Sequence, residues 1–77
     1  MTELNADFVV CLRNDGAEDL EVRKVYQVIW DGAAQAKLFL RVVDDSGNDY
    51  LYPAKFFTPI LMPQSAADAL RRRAAAG

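Results

Sequence analysis

The chain has no histidine and one cysteine, Cys11, among its 77 residues. Without an imidazole there is no Ser–His or Cys–His pair to generate a nucleophile near neutral pH. A single thiol forms neither an internal disulfide nor a cysteine metal cluster, and such usage fits a reducing cytoplasmic compartment. Cys11 stands between Val10 and Leu12, where a small buried hydrophobe is the ordinary role. Long apolar runs are also missing. The segment Phe8 to Leu12 follows Glu3 and Asp7 rather than a basic region, so it does not form a signal-peptide core, and no stretch is long enough to span a bilayer. With only four glycines there is no glycine-rich phosphate loop, and there are no internal repeats. Catalysis therefore has little to work with, and no cofactor is implied.

What remains is an ordinary folding composition, 52% hydrophobic and 26% charged, far from the signature of disorder. The length suits one small domain, which buries roughly 60% of its unfolded surface. The formal net charge is −2, but its sign changes along the chain. Residues 1–63 hold six Lys/Arg against ten Asp/Glu, net −4, whereas residues 64–77 hold three arginines against Asp68, net +2. An acidic body lacks the positive stripe that displaces phosphate counterions, which argues against nucleic acid as its partner.

Hydrophobic periodicity divides the chain into short pieces. "DFVVCLR", Asp7 to Arg13, is rich in β-branched and aromatic residues and reads as a strand, ended by the turn-forming "NDGAED" with Gly16. In "VYQVIW" the residues Tyr26, Val28 and Trp30 alternate with Val25, Gln27 and Ile29, which predicts a second strand. "DGAAQAK" reads as a turn whose alanines are able to form a single helical turn, and "LFLRVV" as the third strand. "DDSGND" marks a hairpin tip before the short strand "YLY". Pro53 ends that strand, "PAKFF" reads as one helical turn, and "TPILM" as an edge strand interrupted by Pro59. Turn signals this frequent indicate a small barrel or sandwich.

The last residues differ in kind. "SAAD" has the pattern of a helix start with Ser65 as N-cap, and Arg71, Arg72 and Arg73 suit the negative end of the same helix. A helix this short frays in water unless Leu70, its one large apolar side chain, docks on the body. The expected organisation is a body of residues 1–63 and a basic tail of residues 64–77.

This order of pieces resembles an SH3-like barrel. "DLEVRKV" is similar to the segment that forms that family's diverging turn, and "YPAKFFTPI", with Tyr52, Pro53, Phe56 and Phe57 at the matching positions, to its helical turn and final strand. More closely, "LRVVDDSGNDYLYPAKFF" resembles a group of small bacterial proteins of unknown function with the segment Val-[Ile/Val]-Asp-[Asp/Glu]-Ser-Gly-x-Asp-Tyr-Leu-Tyr-Pro-Ala-x-x-Phe. The resemblance implies an all-β fold: a five-stranded SH3-like barrel with a single helical turn before the last strand and a short C-terminal helical tail. It implies no activity. The tyrosine-rich first-strand motif and the tandem tryptophans of proline-peptide binders are absent, so proline-rich specificity is not implied.

The candidate site is the ring-rich stretch. Alternation places Tyr50 and Tyr52 on one face of their strand and Leu51 on the other, with Leu51 the expected core residue. The rings then either seal the barrel or line a ligand groove. As a groove, Tyr50, Tyr52 and Pro53 would combine with Trp30, and Asp15, Glu18 and Asp19 of the first loop would attract a basic residue of a protein or peptide partner. Spacing argues against a calcium loop at "DDSGND": counting from Asp44, the sixth position is Asp49 rather than glycine and the twelfth is Lys55 rather than glutamate. The leading expectation is a non-catalytic binding module. The alternative is a small nucleic-acid-associated barrel working through its arginine tail.

Overall fold

The computed structural model describes residues 4–76, with side chains for residues 7–72. Five strands form one antiparallel sheet: β1 (Leu4–Cys11), β2 (Val25–Ile29), β3 (Phe39–Val43), β4 (Asp49–Pro53) and β5 (Phe57–Pro63), in the order β4-β3-β2-β1-β5. A 3-10 turn, Ala54–Phe56, joins β4 to β5. The described residues also include two α-helices, α1 (Gly32–Ala36) between β2 and β3, and α2 (Gln64–Ala76) after β5.

One face of every strand feeds a common core of Val9, Cys11, Leu20, Tyr26, Val28, Val42, Phe56 and Phe57, with Tyr52 and Leu40 packed against it. Cross-strand partners in an antiparallel sheet point to the same side. The pairs Val9↔Tyr26, Val28↔Val42 and Leu40↔Tyr52 therefore fix the inward set, while Tyr50, opposite Val42 on the same side, lies beyond the core and is exposed. The two edge strands are far apart in strand order, yet the rings of Tyr52 (β4) and Phe57 (β5) meet edge-on with centroids 6.3 Å apart. The sheet is thus curled until its edges touch through side chains, with no hydrogen-bonded ladder between β4 and β5 to close it.

Several expectations need correcting. Leu51 is exposed, and Tyr52 takes the inward place. The phase of β4 is set by its partner: Leu51 pairs with Arg41, whose guanidinium lies on the outer face between Asp31 and Asp49, at 3.0 Å from each. Tyrosine tolerates the inner face because its hydroxyl finds an acceptor, as described below. The alanines after Asp31 do form the short helical turn that the sequence allowed, α1, and here no correction is needed; its free amides are capped by the Asp31 carboxylate, 3.2 Å from the Ala34 nitrogen. Helix α2 starts at Gln64, so Ser65 lies inside its first turn instead of capping it. Pro63, the last residue of β5, directly precedes the helix, so strand passes into helix with no intervening loop.

Leu70 is half-buried at the outer face of the sheet, but the tail docks more firmly through two other residues. Ala67 is fully buried. Arg71 pairs with Asp7 of β1 and with Asp68 at 3.1 Å, its guanidinium 5.7 Å from the centre of the Phe8 ring. Phe8 points away from the main core and is buried all the same, under the helix. Of the other two arginines, Arg72 is exposed and the Arg73 side chain lies outside the described residues.

Candidate functional site

The loop between β1 and β2 is long, and local bonds give it a shape. Its base is tied to the 3-10 turn by the Leu12 amide, which donates to the Phe56 carbonyl at 2.6 Å. Its far side is held by Leu20, buried in the core, and by the Asn14 side chain, which donates to the Leu20 carbonyl at 3.0 Å. Gly16 adopts φ of +73°, a left-handed turn that L side chains avoid. The Asp45 amide donates to the Asp19 carbonyl at 2.9 Å and fixes the loop against the tip of the β3–β4 hairpin.

Between this loop and the end of β4 runs a groove of about 550 Å³. One wall carries Asp15, Glu18 and Asp19; the other carries Tyr50, Tyr52 and Pro53, with Phe56 below. Six of the seven residues singled out in the sequence therefore share one concavity. Trp30 does not line it. Strand β2 ends at Ile29, so the alternation that would have carried Trp30 inward stops one residue short, and its indole N–H donates to Asp7 at 2.6 Å. Phe56, Gly16 and Ala17 complete the lining. Phe56 carried a sequence signal as part of the aromatic stretch, whereas Gly16 and Ala17 enter only because the loop folds back.

Among the described residues no cation lines the groove. Asp15 pairs with Arg13 in an exposed contact at the rim, and neither Glu18 nor Asp19 has an ion-pair partner among the described residues. The groove is accordingly a negative, aromatic-walled surface.

The second acidic segment, Asp44 to Asp49, behaves differently. Asp44 is buried and accepts from the Tyr52 hydroxyl at 2.6 Å, the Ser46 amide at 3.0 Å and the Ser46 hydroxyl at 2.5 Å. Burial works to raise its pKa, but these donors outweigh it and hold the carboxyl below its ordinary value. Asp45 accepts from the Tyr26 hydroxyl at 3.0 Å and pairs with Lys24. The Tyr26 oxygen in turn accepts the Glu21 amide at 2.7 Å. Burial, reinforced by Asp45, pushes Tyr26 up to about 12 despite that amide, and burial with Asp44 pushes Tyr52 upward as well. The hairpin tip thus clasps the phenol ends of two inward tyrosines, a contact with no local signal in the chain. Its carboxylates are filled with donors, and no acidic or thiol cluster with metal-holding geometry occurs among the described residues.

Cys11 is fully buried with its sulfur 3.1 Å from the Arg13 carbonyl, and burial raises its pKa, so it is no nucleophile in this state. No helix among the described residues is long and apolar enough to cross a membrane. Set against known protein families, curated proteins and solved structures, the chain shows no match.

Proposed function

We propose that the chain is a small non-catalytic binding module, an SH3-like barrel whose groove takes an extended protein segment with a basic residue. The strand order β4-β3-β2-β1-β5 and the 3-10 turn before β5 support the barrel reading, as does the ring contact that brings the two edges together. One observation carries the functional reading: Glu18 and Asp19, lacking basic partners of their own, face Tyr50 and Pro53 across one groove. Aromatic walls offer contact area to the stem of a lysine or arginine, and the carboxylates hold its head. Titrating isotope-labelled protein with an extended arginine-bearing peptide tests this. Amide shifts should move at residues 15–19 and 50–52; movement confined to residues 64–77 would sink the idea.

The alternative, nucleic-acid association through the tail, has weaker support. Arg71 is committed to Asp7 and Asp68, which leaves fewer free cations on α2. Retention of DNA or RNA that falls steeply with salt would favour it.

A further inference from the structure

Helix α1 ends in an unusual way. Its C-cap is Lys37, and the next residue, Leu38, has φ of +64°, the left-handed conformation that closes many helices and that glycine or asparagine normally supplies. The backbone there is well used, since the Leu38 amide donates to the Gln35 carbonyl and its carbonyl accepts from Ala54, each at 2.9 Å. The side chain is not: Leu38 is 76% exposed, the most exposed of the large hydrophobic residues described. A bulky side chain in a strained backbone, contributing nothing to the core, points to something outside the fold.

Its surroundings say what. Leu38, Phe39, Pro53 and Ala54 form a cleft of about 510 Å³, and the residues at its margins are Lys37 and Lys55. Neither lysine has an ion pair among the described residues. Pro53 lines both this cleft and the acidic groove, so the two concavities are neighbours across one residue.

We infer that the cleft is a second subsite for the same extended partner segment: an apolar side chain packs on Leu38 and Pro53, followed by a carboxylate held between Lys37 and Lys55. This rests on the groove reading and adds polarity to it, since the partner must be basic at one end and acidic at the other. Continuity through Pro53 and the reversal of charge between the two concavities support that occupant over a uniformly basic one.

The test uses two peptides of equal length, each made in both chain directions: one with arginines, a central leucine and glutamates, the other with glutamines in place of the glutamates. Net charge alone favours the second, because the protein is acidic. The inference expects the first to bind about three- to tenfold more tightly, the range for one or two rim charge pairs. It expects Lys37→Glu/Lys55→Glu to abolish or reverse that preference. Leu38→Gly should leave the urea midpoint unchanged or higher, by relieving the backbone, while weakening the first peptide severalfold. Equal binding of both peptides, with Asp19→Lys abolishing it, overturns the second subsite and leaves the groove standing. Binding of neither overturns both. A urea midpoint that falls in Leu38→Gly assigns the side chain to the fold, and a concentration-dependent mass lost in that variant assigns the cleft to a second copy; either result overturns the inference.

Discussion

Two acidic segments lie next to each other, joined by the hydrogen bond between Asp45 and Asp19, and they use the same side chains for opposite ends. In the hairpin tip, Asp44 and Asp45 are saturated by the protein's own hydroxyls, amides and Lys24. In the first loop, Glu18 and Asp19 look into a groove with no internal cation among the described residues. A carboxylate surrounded by donors of its own chain holds the fold together. One without them stays open to solvent, which is what the proposed groove depends on. Charge counting treats the two as equal, and only the location of donors separates them.

The comparison breaks most visibly at Asp44. Replacing the buried Asp44 with alanine strands the part-buried Tyr52 hydroxyl and the Ser46 amide, which costs about 2–3 kcal/mol. At roughly 4–8 °C per kcal/mol for a domain this small, the thermal midpoint should drop by about 10–20 °C, read by circular dichroism. A drop of only a degree or two would mean that the clasp contributes nothing.

Acid provides a second handle. Because the folded-state pKa of Asp44 lies below its unfolded value, its contribution is fully present above the ordinary carboxylate value of about 4 and is lost as pH falls through the lower folded value. Denaturant midpoints should decline on that limb, less steeply in Asp44→Asn. On the alkaline side the sign reverses. Tyr26, raised to about 12, contributes stability that is complete below about 10 and is lost between about 10 and 12, and Tyr26→Phe should flatten that decline.

For the loop, the expected effect is on affinity and not on folding. Asp19→Lys should weaken an arginine-bearing peptide about tenfold while the urea midpoint stays put, measured by isothermal titration beside chemical denaturation. The smallest effect belongs to Lys24→Ala. Its pair with Asp45 is half exposed, so the loss should stay below about 1 kcal/mol and shrink further in high salt.

Strands, turns and the helical turn at Ala54–Phe56 were legible in the sequence because their signals are local: alternation in Val25–Ile29, prolines at 53 and 59, the Ser46–Gly47 turn. The six groove residues came out of the same reading, since acidic loop and aromatic stretch each announce themselves. What failed was phase and reach. Leu51 looked like core because apolar residues usually are, but the register with Arg41 decided its side, and register is a property of two strands. Trp30 left the groove because a strand ended one residue early. The tyrosine clasp escaped because it joins residues 19 and 8 positions apart. The tail was expected to depend on Leu70, whereas the smaller Ala67 lets α2 approach closely enough for Arg71 to reach Asp7.

Both outermost strands contain proline: Pro53 in β4, Pro59 and Pro63 in β5. Each removes a donor from a row that a neighbouring molecule would otherwise extend. A half-hydrophobic chain of this size, crowded with others during synthesis, is therefore guarded at both rims against stacking into fibrils, and replacing Pro59 with valine would make the protein measurably quicker to form thioflavin-positive aggregates.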